Sequence, residues 1–334
     1  MAKVAINGLG RIGRAALKTI METPELELLA VNDIAPRDNL AYLLKYDTVY
    51  GRYDKEVELD GEELVIDGQR IAFLQERDPA DLPWEEMDID IVFECTGFFR
   101  TAEGMDKHFQ AGAKYVVLSA PAKSEGIETV VHGVNAPDKE ALMISCASCT
   151  TNSITPVVEI VDRRFGIQKA LMTTIHAYTS TQAIVDAPSS KIRRGRAAAA
   201  NFVPTTTGAA VATTQVLPQL QGKFDGVAVR APIPCGSISD MVFLLEKDTT
   251  VEEINAVLTE EAESEKYQGI FGVTNEPLVS SDIVGITYGS LADLEMTRVV
   301  DGNLVKIMAW YDNEMSFTSQ MIREGVRVAE ERGF

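Results

Sequence analysis

The chain has little of several residue types, and each shortage narrows what it can be. Its 334 residues include only four cysteines, three histidines and two tryptophans. Four cysteines are too few for the disulfide framework of a small secreted protein, and unpaired thiols are the expectation. No apolar stretch approaches the roughly 20 residues that span a bilayer, and the first residues carry no basic leader. We therefore expect a cytoplasmic protein that does not enter the membrane.

Basic side chains are also scarce relative to acidic ones. The sequence has 31 Lys and Arg against 50 Asp and Glu, which gives a net charge of −19 at pH 7. Charge of this sign repels DNA and RNA, so a nucleic-acid role is not expected. The acids are scattered along the whole length. They indicate either an ordinary solvated face or, as we favour, a surface adapted to high salt, where self-repulsion is screened.

The pattern of apolar segments predicts two domains with different sheets. Near the N-terminus, short apolar strands alternate with glycine turns and helices, which is typical of a parallel, doubly wound α/β sheet. After Cys149 the segments are longer and rich in Val, Ile, Thr and Met, which indicates a mixed or antiparallel sheet. The last residues have apolar side chains at helical spacing and predict an amphipathic C-terminal helix.

A glycine turn follows the first strand, in the segment KVAINGLGRIG. Gly8, Gly10 and Gly13 have the G-x-G-x-x-G spacing, which permits a tight turn, close approach of the backbone to a pyrophosphate and close helix packing. Asp33 ends the next apolar strand, where a carboxylate suits a ribose diol and repels a 2′-phosphate. We predict a dinucleotide site that favours NAD over NADP.

Two of the cysteines, Cys146 and Cys149, stand in the segment SCASCTTNS. A zinc site needs about four ligands, and no second Cys or His cluster is present, so no metal is expected. A redox dithiol would belong to a smaller domain of another architecture. We favour a single nucleophile, Cys149, at the start of a helix whose N-terminus stabilises a thiolate, although Pro156 leaves the helix start open. Cys146 is then a small buried residue or, alternatively, forms a reversible disulfide with Cys149 under oxidant.

A thiol nucleophile needs a base, and three histidines are available. His176 ends an apolar strand before a polar loop, which is a common place for a catalytic group. His132 lies near a turn and His108 on a charged helical face, where we expect solvated structural roles. The polar loop that follows His176 is rich in arginine, and we expect it to be solvated surface or to meet an anion or a partner subunit.

Many segments in the same order resemble phosphorylating glyceraldehyde-3-phosphate dehydrogenases of the bacterial type, over essentially the full length: INGLGRIGR, VNDI, LLKYDTVYGR, ERDP, TGFF, SAPAK, ASCTTNS, HAYT, PTTTGAA and WYDNE. The resemblance implies an NAD-binding Rossmann domain over 1–148, a catalytic domain over 149–312, and a C-terminal helix over 313–334 that packs back on the NAD domain. It also implies a homotetramer that oxidises D-glyceraldehyde 3-phosphate, with NAD and inorganic phosphate, to 1,3-bisphosphoglycerate.

The resemblance further implies roles for individual residues. Cys149 is the nucleophile and His176 its base. The residues that contact NAD are Gly8, Gly10, Arg11, Ile12, Gly13, Asp33, Arg77, Thr96, Ser119 and Asn313. The residues around the substrate and the phosphate groups are Ser148, Cys149, Thr150, Thr179, Arg194, Thr207, Gly208 and Arg230. The arginine-rich loop corresponds to the family's loop at a subunit interface.

The sequence departs from the family pattern at two positions near the expected cofactor. Phe317 replaces a tyrosine that packs near the nicotinamide, and Ala187 replaces a leucine near the adenine ribose, which leaves NADP use open. Two rival functions also stay open. One is an erythrose-4-phosphate dehydrogenase with the same thiol chemistry, and the other is a dinucleotide-binding regulatory protein without enzymatic activity.

Overall fold

The computed structural model describes the whole chain, Met1–Phe334. It separates into two compact units, each with its own sheet. The first unit comprises Met1–Val130, Pro137–Ala147 and Met321–Phe334, and the second comprises Val131–Ala136 and Ser148–Gln320.

The first unit is built on a nine-stranded sheet with the order β10-β11-β9-β8-β1-β2-β7-β6-β5. The central strand β1 pairs in parallel with β2 on one side and with β8 on the other, so the strand order reverses beside β1. This arrangement confirms the predicted doubly wound sheet. The strands are β1 (Ala2–Asn7), β2 (Leu26–Asn32), the separate hairpin β3 (Tyr46–Asp47) and β4 (Gly51–Arg52), β5 (Val57–Asp60), β6 (Glu63–Ile66), β7 (Gln69–Leu74), β8 (Ile91–Glu94), β9 (Tyr115–Leu118), β10 (Glu128–Thr129) and β11 (Met143–Ser145).

Three helices of the first unit connect these strands: α1 (Arg11–Ile20), α2 (Arg37–Lys45) and α3 (Ala102–Gln110). Every residue of β8 and β9 is buried, as expected for parallel strands covered on both faces. Thr101 is the N-cap residue of α3, and its hydroxyl accepts a hydrogen bond from the Gly104 amide at 3.1 Å. Strands β5 to β7 add an antiparallel edge that the sequence analysis did not assign.

The expectation of a solvated His108 is wrong. His108 belongs to the buried face of α3 and is completely inaccessible to solvent. The ring is tolerated there because both nitrogens have partners: Nδ1 accepts from Trp84 Nε1 at 3.1 Å, and Nε2 lies 3.1 Å from a Glu94 carboxylate oxygen. The charged neighbours of His108 along the sequence suggested an exposed face because the buried partners come from distant segments.

The second unit contains a seven-stranded mixed sheet with the order β13-β14-β12-β15-β18-β17-β16, which confirms the predicted change of architecture. Strand β12 pairs in parallel with β14 and antiparallel with β15. The elements are α4 (Cys149–Phe165), β12 (Ile167–Ala177), β13 (Val203–Thr206), α5 (Ala209–Val216), β14 (Phe224–Ala231), β15 (Ser237–Leu245), α6 (Val251–Ala262), β16 (Phe271–Thr274), β17 (Ser290–Val300) and β18 (Leu304–Tyr311).

Two helices answer questions that the sequence left open. Helix α4 begins at Cys149 itself, and Pro156 lies inside it, so the proline does not delay the helix start. The C-terminal helix α7 (Met315–Arg332) is longer at its start than the apolar pattern indicated.

The polar loop after β12 contains two short 3-10 turns, Ile192–Gly195 and Ala198–Ala200. No helix of the protein is both long and apolar enough to cross a bilayer.

Candidate active site

A cavity of about 430 Å³ in the first unit lies beside the residues that follow β1, β2 and β8. Such a crevice, at the carboxyl ends of parallel strands where the strand order reverses, is the usual ligand site of doubly wound sheets. Five of the predicted cofactor residues line it: Gly8, Gly10, Asp33, Arg77 and Thr96. The other lining residues are Asn7, Asn32, Ile34, Glu76, Cys95, Phe98 and Phe99.

Each glycine of the turn is required for a different structural reason. Gly8 has φ +98°, and a Cβ there would lie 2.7 Å from the Thr96 backbone nitrogen. A Cβ at Gly13 would lie 1.8 Å from the Gly8 carbonyl oxygen, so the third glycine allows α1 to pack on the turn. A Cβ at Gly10 would meet no atom within 4 Å, yet Gly10 lines the cavity. Its lack of a side chain therefore keeps the backbone open toward a ligand.

Asp33 is held at the mouth of this turn by backbone amides. One carboxylate oxygen accepts from the Leu9 amide at 2.7 Å, and the other accepts from the Ala35 amide at 2.9 Å. A carboxylate offers about four acceptor positions, so two remain for the hydroxyls of a ribose. The residue fits the predicted diol contact, and its negative charge opposes a phosphate at the same place.

The remaining predicted cofactor residues do not line this cavity. Arg11 forms an ion pair with Asp47 and lies over the Tyr50 ring, with 5.5 Å between its guanidinium carbon and the ring centre. Gly13 and Ile12 belong to α1, and the Ser119 amide donates to the Glu94 carbonyl at 3.0 Å. Asn313 belongs to the second unit, where its side-chain oxygen accepts from Ser237 Oγ at 3.1 Å.

In the second unit, Cys149 and His176, the predicted nucleophile and base, lie close together at the start of a helix and the end of a strand. Cys149 is the first residue of α4, and the N-cap residue Ser148 accepts from the Thr151 amide at 3.1 Å. The Cys149 Sγ lies 3.4 Å from His176 Nε2. His176 Nδ1 lies 2.7 Å from the carbonyl oxygen of Ala177, an acceptor only, so the Nδ1 proton is fixed and Nε2 presents its lone pair to the thiol.

The surroundings of this pair favour its neutral form. Burial raises the pKa of the Cys149 thiol above its usual value, although the nearby Arg230 and local hydrogen bonds oppose the shift. Burial, reinforced by the positive charge of Arg230, lowers the pKa of His176 to about 3. In the protein without ligands, the effect of burial on the thiol pKa therefore exceeds the stabilisation of a thiolate that we expected from the helix N-terminus. A neutral imidazole is nevertheless what a proton acceptor requires.

Tyr311, which was not among the predicted site residues, contacts both elements that carry Cys149 and His176. Its hydroxyl lies 2.9 Å from Thr150 Oγ1 and 2.7 Å from Thr174 Oγ1, and its ring packs edge-on against His176 with 5.9 Å between ring centres. Tyr311 is completely buried at the end of β18. It ties α4 to β12, the two elements that carry the thiol and the imidazole.

Two arginines and two threonine hydroxyls form a connected set of donors that begins beside His176, at the Ala177 carbonyl. Arg230 Nη1 donates to Thr179 Oγ1 at 3.2 Å and to the Ala177 carbonyl at 3.1 Å, while its buried Nε has no partner. Thr179 Oγ1 lies 2.9 Å from Thr181 Oγ1, which accepts from Arg194 Nη1 at 3.4 Å. Such a cluster of guanidinium and hydroxyl donors suits phosphate oxygens.

The other predicted phosphate residues are placed less uniformly. Gly208 is the N-cap residue of α5, and Thr207 Oγ1 accepts from the Ala209 amide at 3.2 Å. Helix α5 packs on α4, where Thr155 Oγ1 lies 3.0 Å from Thr213 Oγ1. The Thr150 hydroxyl, in contrast, is buried and lies 2.9 Å from the Tyr311 hydroxyl.

Comparison with known proteins places both units in one family. Residues 148–313 match the family model described as the glyceraldehyde 3-phosphate dehydrogenase C-terminal domain, and residues 2–102 match its NAD binding domain. A glyceraldehyde-3-phosphate dehydrogenase from Clostridium acetobutylicum is 49% identical over 330 residues, which is 97% of each chain. The chain belongs to the glyceraldehyde 3-phosphate dehydrogenase family.

Other members of the family are similar over the same span. The glyceraldehyde-3-phosphate dehydrogenase of Geobacillus stearothermophilus is 48% identical and covers 96% of each chain. That of Thermotoga maritima is also 48% identical, over 96% of this chain and 97% of the relative. The family resemblance drawn from the sequence segments is confirmed. The family's C-terminal model begins at residue 148, immediately before Cys149.

Proposed function

We propose that the protein catalyses the NAD-dependent, phosphorylating oxidation of D-glyceraldehyde 3-phosphate to 1,3-bisphosphoglycerate, in either direction. The observation that carries the proposal is the 3.4 Å approach of Cys149 Sγ to His176 Nε2 beside the guanidinium of Arg230. A thiol, a neutral imidazole and a phosphate-binding arginine are the groups that this reaction needs. The function of the named family members supports the same choice of substrate.

NAD is the cofactor of this proposal, and the first unit fits it. Gly8 and Gly13 admit no side chain, Gly10 leaves the cavity open, and Asp33 offers acceptors for a ribose diol. When bound, NAD supplies a nicotinamide that accepts hydride. We assign cofactor binding to 1–148, catalysis to 149–312 and a helix accompanying the NAD domain to 313–334. Arg11, Ile12, Ser119 and Asn313 remain proposed contacts.

Addition of the thiol begins the reaction. His176 Nε2 takes the Cys149 proton as the sulfur attacks the aldehyde carbon, and the imidazolium returns that proton to the new oxyanion. The Nδ1 hydrogen bond to the Ala177 carbonyl stabilises the imidazolium that forms in between. As the first residue of α4, Cys149 also has a backbone N–H without an intrahelical acceptor, which can donate to the oxyanion.

Oxidation uses the same imidazole a second time. His176 removes the proton from the thiohemiacetal hydroxyl as the carbon loses hydride, and a thioester on Cys149 results. The imidazolium then releases its proton, and an oxygen of inorganic phosphate attacks the thioester carbonyl. The Cys149 sulfur leaves and regains a proton, and the product is an acyl phosphate.

Two phosphate groups must be held during this sequence, one on the substrate and one on the attacking nucleophile. Arg230, Thr179 and Arg194 form one connected set of donors, and the unpartnered Nε of Arg230 has a free proton for a ligand oxygen. Ser148, Thr207 and Gly208, at the N-termini of α4 and α5, offer hydroxyls and backbone amides for the other.

We propose that the protein is a cytoplasmic homotetramer with a surface suited to high salt. Large apolar side chains of the second unit are exposed in the single chain, which supports burial against other subunits: Leu171, Ile184, Val185, Ile192, Phe202 and Val227. The net charge of −19 supports the adaptation to salt. Sedimentation as a monomer would contradict the homotetramer. Full activity and assembly in dilute buffer would contradict the adaptation to high salt.

The activity is tested by NADH formation with glyceraldehyde 3-phosphate and with erythrose 4-phosphate, each with and without inorganic phosphate. We expect the triose phosphate to be the better substrate and sustained turnover to require phosphate. Cys149→Ser should lower turnover at least about 10³-fold because a hydroxyl is a weaker nucleophile, while NAD affinity is retained. Sustained turnover without phosphate, or an active Cys149→Ser variant, would exclude the mechanism.

A further inference from the structure

The end of β8 carries an acidic side chain that the proposed mechanism does not use. Glu94 is completely buried, in a strand whose other residues are apolar. Burying a carboxylate is costly unless several donors surround it. Four donors do so here: Asn7 Nδ2 at 2.6 Å, the Thr96 amide at 2.7 Å, the Thr96 hydroxyl, and His108 Nε2 at 3.1 Å.

The direction of each hydrogen bond is set by a neighbour that can act in only one way. Trp84 Nε1 can only donate, so His108 Nδ1 accepts and the ring proton on Nε2 points to Glu94. The Thr96 hydroxyl accepts from the Phe98 amide at 3.1 Å, and its own proton is directed at a Glu94 carboxylate oxygen.

The amide groups on the other side of Glu94 are fixed in the same manner. The Glu76 backbone amide donates to Asn32 Oδ1 at 2.8 Å, so Asn32 Nδ2 faces Asn7 Oδ1 at 2.7 Å. This orientation leaves Asn7 Nδ2 to donate to Glu94. Glu94 is thus the acceptor at the end of each of these chains of donors.

These chains hold the walls of the cofactor cavity. Asn7, Asn32, Glu76, Thr96 and Phe98 all line that cavity, whereas Glu94 does not. The Thr96 backbone nitrogen held by Glu94 is also the atom that a Cβ at Gly8 would approach to 2.7 Å. The spacing between the glycine turn and the loop after β8 therefore depends on the carboxylate beneath them.

We propose that Glu94 is a positioning residue for the dinucleotide site, which fixes Asn7 and Thr96 on either side of the glycine turn without touching the ligand. The inference rests on the proposed NAD site. Replacing Glu94 by glutamine keeps the shape but turns one acceptor into a donor, which must then face either the Thr96 amide or the Asn7 and His108 donors. The loop after β8 should move, and the cavity should fit NAD less well.

The test is titration calorimetry of NAD with the purified wild-type protein and Glu94→Gln, without substrate. We expect a Kd for NAD at least about tenfold higher in the variant, a raised KM for NAD, and a kcat at saturating NAD within about twofold of wild type. The matched control is Glu324→Gln, which changes another buried carboxylate of the first unit, paired with Arg327 at 3.0 Å and absent from the cavity lining. The control should keep the wild-type Kd.

Each outcome bears on a distinct claim. Wild-type protein that does not bind NAD would overturn the proposed cofactor. Wild-type binding with an unchanged Kd in a folded Glu94→Gln variant, or an equal loss in Glu324→Gln, would overturn the positioning role. If Glu94→Gln does not fold by circular dichroism, Glu94→Asp keeps acceptors but is one methylene shorter. It should weaken NAD at least about threefold, and an unchanged Kd would overturn the proposal.

Discussion

The buried imidazole of His176 should make the free energy of unfolding depend on pH. The imidazole is 4% exposed, and burial together with Arg230 lowers its pKa from the ordinary 6.5 to about 3. Below pH 6.5 the unfolded chain binds a proton on this residue and the folded chain does not. Stability is therefore unaffected by His176 above pH 6.5 and is lost as the pH falls below it.

The size of the effect follows from the width of that interval. pH 5.0 lies about 1.5 pH units below the unfolded-state pKa, so protonation of His176 in the unfolded chain lowers the free energy of unfolding by about 2 kcal/mol. For 334 residues an unfolding entropy of about 2.1 cal/mol/K per residue converts this into about 3 °C of Tm. His176→Gln removes the titrating group, so its Tm should fall less between pH 7 and pH 5 than the wild-type Tm, by about that amount.

The assay is a thermal scan of both proteins at fixed protein and salt concentrations. Any pH-independent cost of the substitution cancels, because only the change of Tm with pH is compared. Tyr311→Phe disturbs the same site without adding or removing a group that titrates between pH 5 and pH 7, and it should keep the wild-type pH dependence. Equal pH dependence in wild type and His176→Gln would refute the neutral, buried imidazole.

Three further results are expected. Gly8→Ala should lower the Tm and abolish NAD binding, since its Cβ would lie 2.7 Å from the Thr96 nitrogen, whereas Gly10→Ala should keep the Tm and weaken NAD binding only. Equal thermal costs would contradict the distinction. Arg230→Lys should raise the KM for the ligand whose phosphate Arg230 holds, glyceraldehyde 3-phosphate or inorganic phosphate, about tenfold and Arg230→Leu further, because lysine keeps the charge but loses the guanidinium fork. Unchanged KM values for both ligands in steady-state kinetics would contradict this. Burial raises the pKa of Cys95 to about 12 and that of Cys146 well above its usual value, whereas the Cys149 thiol has a proton acceptor, His176 Nε2, at 3.4 Å. Iodoacetamide should therefore modify Cys149 first, and Cys146→Ala should recover from peroxide like wild type. Slower recovery would favour the disulfide alternative.

Local sequence was sufficient where the chemistry depends on neighbours in the chain. The glycine spacing and Asp33 predicted the cofactor turn because a strand, a turn and a helix are consecutive. The position of His176 at a strand end predicted that it faces a loop. The change of segment type after Cys149 predicted the mixed sheet that β12 to β18 form.

Groups that act across the fold were missed because their partners are distant in sequence. Tyr311 bonds to Thr150 and Thr174, which belong to different elements. His108 was expected at the surface because its buried partners Trp84 and Glu94 are outside its helix. The sequence does carry one signal of the buried network, because an acid that ends the apolar run IVFE is costly to bury without several donors around it.

The balance between helix dipole and burial at Cys149 was also beyond the sequence. The helix start was anticipated, and it favours a thiolate. The depth of the site was not, and burial raises the pKa of the thiol instead. For the mechanism, this means that Cys149 transfers its proton to His176 as it attacks the aldehyde, and that the thiol is not a thiolate at rest.

A covalent acyl intermediate on Cys149 that phosphate releases should be detectable when the protein is mixed rapidly with NAD and glyceraldehyde 3-phosphate in the absence of phosphate. We expect a burst of about one NADH per chain, a stalled thioester, and renewed turnover on adding phosphate, with no burst in Cys149→Ser. Steady NADH formation without phosphate, or a full burst in Cys149→Ser, would contradict it.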